Sequence, residues 1–413
     1  MNRRVLIVCY YFPPLGLAGI GRPLNLFKYL PKHNWDCHIL TVKPVTYRAY
    51  EPELLHGLDL SRIHRSGSYD PQRLMYLAGL RKVGKKTLAG TAEMRSRYFP
   101  DSKRGWIGPA VRLGKKLIRE FNYDVLISTS PPISSHLVAC KLAKETKIKW
   151  VADFRDFWTS TTIDDYYGRS PRAERAYDLL RFIHDQSTCM TAVNNSVASY
   201  VGADEVISNG YDPVMAQNWK APEFGQKFAI GILGTLGEWN PVDPLIDLLQ
   251  AVISTRGCDP SKLSIVHVGN CDDNSRMTLD RATGLGVEVI SHGLQPRQET
   301  IELLSSSHCI FHSLSLGSGK GLTTARIFDS LASGRPILAY GDQGGEVDLL
   351  LAGTGNALRF DNQTTGAAAD YLVDLIGKWK NGTVTITPTP AYALPYRWDN
   401  IAGQFAKLFD SLL

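Results

Sequence analysis

Gly319-Lys-Gly-Leu-Thr-Thr-Ala-Arg-Ile-Phe-Asp-Ser-Leu-Ala-Ser-Gly-Arg-Pro-Ile-Leu-Ala339 reads as a glycine turn, a helix, a stop and a buried strand. Thr323 or Thr324 can cap the helix, and Ile327, Phe328 and Leu331 form its apolar stripe. Gly334 ends it, and Pro336 opens the strand through Tyr340. Arg326 and Asp329, three apart, share a helical face. The first N–H groups of a helix lack partners and attract phosphate. A carboxylate one or two turns later is placed for a ribose hydroxyl. The stretch therefore points to a nucleotide-diphosphate site.

Outward from it, strand and helix alternate. Phe228–Leu233, Leu263–Val268, Val287–Ile290 and Cys309–Leu314 read as strands, with helices at Pro244–Ile253 and Gln298–Leu304. The earlier half shows the same pattern: strands at Val5–Tyr10, Cys37–Val42, Val125–Thr129 and Trp150–Ala152, with short ones at Thr191–Val193 and Glu205–Ile207. Helices fall at Arg22–Leu30 and His136–Lys144. Continuous apolar strands between amphipathic helices predict parallel sheets covered on both faces. The 413 residues exceed one ordinary core. Ser208-Asn-Gly-Tyr-Asp-Pro213 is a turn cluster, so the expected division is 1–207, a linker 208–222, and 223–393. A last amphipathic helix, in 394–413, is expected to pack back on the first domain. Two doubly wound domains imply a cleft at their carboxyl strand edges.

Composition narrows the function. Net charge is +6, short of a nucleic-acid binder's usual signature. Seven scattered cysteines with no CxxC pair suit a reduced, cytoplasmic protein. Met1-Asn-Arg-Arg before Val5–Phe12 reads as a first strand rather than a leader, since Pro13-Pro14 follows at once. No stretch approaches the ~20 apolar residues of a membrane span.

The remaining motifs have competing readings. Gly16-Leu-Ala-Gly19-Ile-Gly21-Arg22 lies where a phosphate loop belongs, with Arg22 facing an anion, and equally fits a plain strand-to-helix turn. Gly317-Ser-Gly-Lys-Gly321 lacks the Ser/Thr and the glycine spacing of a P-loop. Asp153-Phe-Arg-Asp156 with Trp158 follows a strand; it is either a cleft-lining polar cluster or an Arg–Asp pair holding a loop. Arg155 would repel a cation there, which disfavours a metal. His292-Gly-Leu294 is a loop whose backbone can read a base edge, or a capped turn. Residues 81–119 are rich in Lys and Arg with Tyr98, Phe99 and Trp106 interleaved. They fit a solvated helical face, or docking to an anionic membrane or a pyrophosphate-bearing acceptor.

Taken in order, these motifs resemble the retaining glycosyltransferases of the GT-B fold, family 4, especially bacterial surface-polysaccharide enzymes. Tyr11-Phe-Pro-Pro14, Phe99-Pro-Asp101, Asp153–Asp156, Asn209-Gly-Tyr-Asp212, Gly234-Thr-Leu-Gly237 and Ala325–Pro336 carry the resemblance. It implies two Rossmann-like domains, a nucleotide-sugar donor on the second, a saccharide or lipid-pyrophosphate acceptor on the first, and no metal. Gly234 and Thr235 would face the diphosphate, His292 and Leu294 the base. Thr323 and Thr324 would offer N–H groups to the phosphates, and Asp329 would hold the ribose. Arg326 and Asp156 would carry the chemistry, with Gly19, Arg22, Asp153 and Arg155 lining the acceptor side. The leaving diphosphate would take the acceptor's proton, so no protein nucleophile is needed. The expected location is cytoplasmic, peripheral on the inner membrane face, with no nucleic-acid partner. Four features depart from the family: Gly321 replaces an acid, Asp329 a longer one, Glu238-Trp239-Asn240 stands where Lys-Gly is common, and a histidine common after the Val125–Thr129 strand is absent. A nucleotide-sugar 2-epimerase of the same architecture, or a non-catalytic nucleotide-sugar binder, fits the same pattern.

Overall fold

The computed structural model describes residues 3–16, 18–44, 50–80, 98–158, 162–222, 227–317, 320–383 and 386–413. It divides into two compact units: Met1–Asn209 with Trp398–Leu413, and Gly210–Arg397.

Among the described residues the N-terminal unit has seven parallel strands: β1 Arg3–Val8, β2 Trp35–Val42, β3 Ile63–Ser66, β4 Val125–Ser130, β5 Lys149–Phe154, β6 Cys189–Ala192 and β7 Glu205–Val206. Their order is β3-β2-β1-β4-β5-β6-β7. β1, β4 and β5 are buried almost throughout, because helices cover both faces. The sequence pattern misses β3, so Val125–Ser130 is the fourth strand, not the third. Ile63-His-Arg-Ser66 has a single apolar residue and is a sheet edge, where one face of pairing suffices. The helix Trp398–Leu412 belongs to this unit; Ile401, Phe405 and Phe409 are fully buried in its core.

Among the described residues the C-terminal unit has six parallel strands: β8 Phe228–Leu233, β9 Leu263–Val268, β10 Glu288–Ser291, β11 Cys309–Ser313, β12 Ile337–Tyr340 and β13 Ala357–Phe360. Their order, β10-β9-β8-β11-β12-β13, reverses direction between β8 and β11. Such a reversal opens a crevice at the carboxyl ends of the strands. The expected doubly wound parallel α/β architecture is thus present twice.

The glycine-flanked helix and strand of 320–339 fold largely as their pattern predicts. The helix is Ala325–Ala332, with Ile327, Phe328 and Leu331 at most 1% exposed. Gly334 has φ +68°, and a Cβ there would strike the Thr387 carbonyl. Only glycine satisfies both constraints at this helix end. The expected capping differs: Thr324 is the N-cap residue, yet its side chain makes no capping bond. Thr323 does not occupy that position.

Candidate functional site

The β8–β11 crevice of the C-terminal unit gathers the distinctive chemistry. After β8 the chain turns through Gly234, whose φ is +93°. Gly234 N–H donates to the Val268 carbonyl (2.8 Å) and Leu236 N–H to the Asn270 carbonyl (2.8 Å). The intervening Thr235 N–H donates to nothing among the described residues. Arg326, on the first turn of the Ala325–Ala332 helix, lays its side chain over Gly234. Its Nη1 donates to the Leu233 carbonyl (2.9 Å) and the Thr235 carbonyl (3.4 Å), and its Nη2 to Asn240 Oδ1. No partner of Nε is found among the described residues. Burial pulls the Arg326 pKa down to about 10, which leaves it charged at neutral pH. Thr324 Oγ1, at the same helix start, is buried without a partner. A cation with donors to spare, a free backbone N–H and an uncapped helix start form an anion-binding surface.

Two histidines unflagged by the sequence frame that cation. His267 on β9 reaches the Gly234 carbonyl through Nε2 (3.0 Å) and Ser291 Oγ through Nδ1 (3.0 Å). A carbonyl only accepts, so Nε2 carries the proton and Nδ1 accepts from the serine. Burial, and the Arg326 charge, lower the His267 pKa despite the Gly234 bond. His312 on β11 is buried, and burial followed by the Arg326 charge lowers it to about 3. Both imidazoles are neutral, which leaves Arg326 as the positive charge of the crevice among these three.

The expected ribose acid is held by another side chain. Asp329 accepts from Arg297 Nη2 at 2.6 and 2.8 Å. Burial raises its carboxyl, and Arg297 opposes that shift. Arg326 and Asp329 share a helix face but turn to different partners. His292 lies past β10, its N–H on the His267 carbonyl (2.9 Å) and its carbonyl accepting from Gln295 (2.7 Å). Leu294 is 57% exposed beside it.

The corresponding β1–β4 crevice of the N-terminal unit is built differently. Arg22, expected to face an anion, does not. Its Nε and Nη2 grip Asp153 at 2.9 and 2.7 Å. Its other donors reach the carbonyls of Ile207 (2.8 Å) and Ser208 (2.8 Å) and Asn209 Oδ1 (3.2 Å). Its guanidinium also lies over the Phe405 ring at 5.0 Å. Every N–H is used, so no donor remains for a ligand. Asp153 also accepts from Thr129 (2.7 Å) and Thr191 (2.8 Å). Burial alone would raise its carboxyl, but Arg22 and these bonds together hold it below the ordinary range. The pair is a structural bolt. Arg155 donates to the carbonyls of Ser130 (2.7 Å), Pro131 (2.9 Å) and Gly19, closing the loops after β1 and β4 onto each other. Asp156 is the exception in this cluster. It accepts no hydrogen bond among the described residues, and burial raises its carboxyl to about 7 against the pull of Arg155.

Of the basic segment, residues 81–97 lie outside the described part. Residues 98–106 precede the helix Ile107–Phe121, and there Lys103 and Trp106 are buried, contrary to a segment that presents all its bases and aromatics to a surface. The helix itself exposes Arg112, Lys116 and Arg119 at helical spacing. Among the described residues no group of His, Cys, Asp and Glu is arranged to hold a metal ion. None of their helices is long and apolar enough to cross a membrane. All seven cysteines are free thiols.

No family model matches the chain, and no curated protein matches it in sequence. Solved structures do match. Sucrose-phosphate synthase from Thermosynechococcus elongatus aligns over 99% of this chain and 99% of its own, with a TM-score of 0.63 at 13% identity. An α,α-trehalose 6-phosphate synthase from Burkholderia multivorans aligns over 100% and 99%, with a TM-score of 0.63 at 12% identity. A protein assigned as UDP-N-acetylglucosamine 2-epimerase from Listeria monocytogenes aligns over 100% and 96%, with a TM-score of 0.54 at 11% identity. At these identities the likeness is one of fold. The chain has the GT-B fold, two Rossmann-like α/β sheets of seven and six strands.

Proposed function

We propose that the protein is a retaining, metal-independent glycosyltransferase of the hexosyltransferase type, akin to family 4 and acting in polysaccharide biosynthesis. The observation that carries this reading is Arg326, a half-buried cation over the Gly234 turn with its Nε unspent. The diphosphate of a nucleotide sugar would lie on Nε of Arg326, the Thr235 N–H and the start of the Ala325–Ala332 helix, with Thr323 and Thr324 leading into it. The nucleoside would extend toward β10, its base by His292 and Leu294. The Asp329–Arg297 pair would offer the ribose hydroxyls an acceptor and a donor together.

The bond between the anomeric carbon and the phosphate oxygen breaks, and a bond from that carbon to the acceptor oxygen forms on the same face. The acceptor's proton passes to the leaving phosphate oxygen. Arg326 stabilises the charge that develops there, a large catalytic contribution when donors are fixed beforehand. Asp156, with a carboxyl that titrates near neutrality, would bind a second hydroxyl of the acceptor and so position the incoming one. The N-terminal unit would bind a saccharide or a lipid-pyrophosphate-linked acceptor. Contact with an anionic membrane through residues 81–119 is part of the proposal, as is a cytoplasmic, peripheral location. Its support is the basic Ile107–Phe121 face and the exposed Leu74, Met75, Leu77 and Leu80 just before the basic run.

Labelled UDP- and GDP-sugars, offered with and without saccharide acceptors, test the reading. Transfer or hydrolysis with retained anomeric configuration supports it. A donor returned with its sugar isomerised identifies the epimerase reading instead, and binding without turnover identifies a non-catalytic binder.

A further inference from the structure

Of eight tryptophans, seven are at most 8% exposed, and the eighth, Trp239, is 43% exposed. An indole left in water forgoes the stabilisation of its large apolar area, so its exposure calls for a reason. Looseness is not that reason. Gly237 and Asn240 exchange backbone bonds around it (3.2 and 2.9 Å). Ser315 N–H donates to the Trp239 carbonyl (3.2 Å), and Ser315 Oγ to the Glu238 carbonyl. The backbone is clamped, while the ring makes no hydrogen bond, ring contact or cation–π contact among the described residues.

Its place in the fold relates the residue to the Arg326 crevice. The next residue, Asn240, holds Arg326 Nη2. Ser315 lies just past β11, on the opposite side of β8 from β9 and β10. His292 and Arg297 lie just past β10, so a nucleoside bound there leaves the Arg326 position with Trp239 on its far side. In a nucleotide sugar, the group beyond the diphosphate on that side is the pyranose. Sugar rings present a face of C–H bonds that packs on an aromatic π-face, while their hydroxyls stay in water.

We propose that Trp239 is the stacking platform for the sugar ring of the nucleotide-sugar donor, and so a determinant of which sugar is accepted. This rests on the nucleoside-diphosphate site proposed above.

Calorimetric titration separates the two claims. UDP, GDP, UDP-glucose, UDP-N-acetylglucosamine and GDP-mannose are titrated into the full-length wild type, W239A and W239F. In W239A the nucleoside diphosphate that binds the wild type should keep its Kd within about twofold, while the matching nucleotide sugar weakens about tenfold, near 1.4 kcal/mol. W239F should recover most of that loss, since it retains a π-face. Unchanged nucleotide-sugar affinity in W239A overturns the inference. So does an equal loss for the diphosphate alone, which would make the ring a nucleoside contact. A wild type that binds no nucleoside diphosphate overturns the underlying site as well. Trp239 is exposed, so an unchanged melting temperature is expected for both variants and serves as the folding control.

Discussion

Arg326 crosses directly over Gly234: a Cβ at position 234 would collide with Arg326 Cδ and lie 3.2 Å from Nη1 and 3.3 Å from Nε. Glycine is also required by φ +93°, a conformation that other residues adopt only under strain. Gly234→Ala should therefore push the guanidinium off its carbonyls. The expected result is a fall of at least about thirtyfold in nucleoside-diphosphate affinity, ~2 kcal/mol, with an unchanged circular dichroism spectrum. Calorimetry on the variant checks this.

His267 holds the other side of that turn. With its Nε2–H on the Gly234 carbonyl, it fixes the strand end that Arg326 also grips. His267→Phe keeps an aromatic ring and removes the donor, leaving the half-buried Gly234 carbonyl short of a bond, at about 1–2 kcal/mol. A drop of roughly tenfold in diphosphate affinity is expected, with a lower melting temperature. His267→Gln should restore part of both, since its amide nitrogen reaches about where Nε2 stands and offers a donor to the same carbonyl.

The Arg22–Asp153 bolt predicts the opposite pattern. Removing one partner of a buried ion pair leaves the other charge uncompensated, at about 3–5 kcal/mol. Arg22→Ala should lower the denaturant midpoint strongly. Under native conditions the folded variant should still bind nucleoside diphosphate with wild-type affinity, because every Arg22 donor is spent inside the N-terminal unit. Loss of affinity at unchanged stability would return Arg22 to the ligand.

Asp156 makes stability depend on pH. Its folded carboxyl titrates near 7, above the ordinary carboxylate range. Between those values unfolding releases a proton, so its contribution is present at acid pH and is lost as pH rises through about 7. Asp156→Asn removes this loss. Its melting temperature relative to wild type should rise from pH 5 to pH 8, by about 5 °C or more, and level off above. A difference that is flat with pH would show that the carboxyl is already ionised at pH 5. In turnover assays the same variant should lose the limb of the pH–rate profile near 7.

Much of the fold is legible in the chain itself. The apolar run Phe228–Leu233 coincides with its strand, because a strand buried on both faces carries few polar residues. Leu263–Val268 accommodates the buried His267 because both its ring nitrogens are hydrogen-bonded. The Gly334 stop and the Ile327–Phe328–Leu331 stripe are equally readable. β3 is not, since an edge strand such as Ile63–Ser66 needs little apolar content. Nor is the partner of Asp329: Arg297 is 32 residues away in sequence, and only the fold brings it within 2.6 Å. The fate of Arg22 turns on the same limit, because an arginine beside glycines looks free until the strand carrying Asp153 is set next to it. His267 and His312 give no local signal at all; each is an ordinary strand residue whose meaning comes from Arg326.

Arg326 is proposed to hold a nucleoside diphosphate in the C-terminal unit. Calorimetric titration of UDP and GDP into wild type and Arg326→Ala tests it most directly. Saturable one-to-one binding of at least one of them to the wild type, weakened about a hundredfold in the folded variant, ~2.7 kcal/mol, is the predicted result. Equal affinity in the two proteins, or no binding to the wild type, would contradict it.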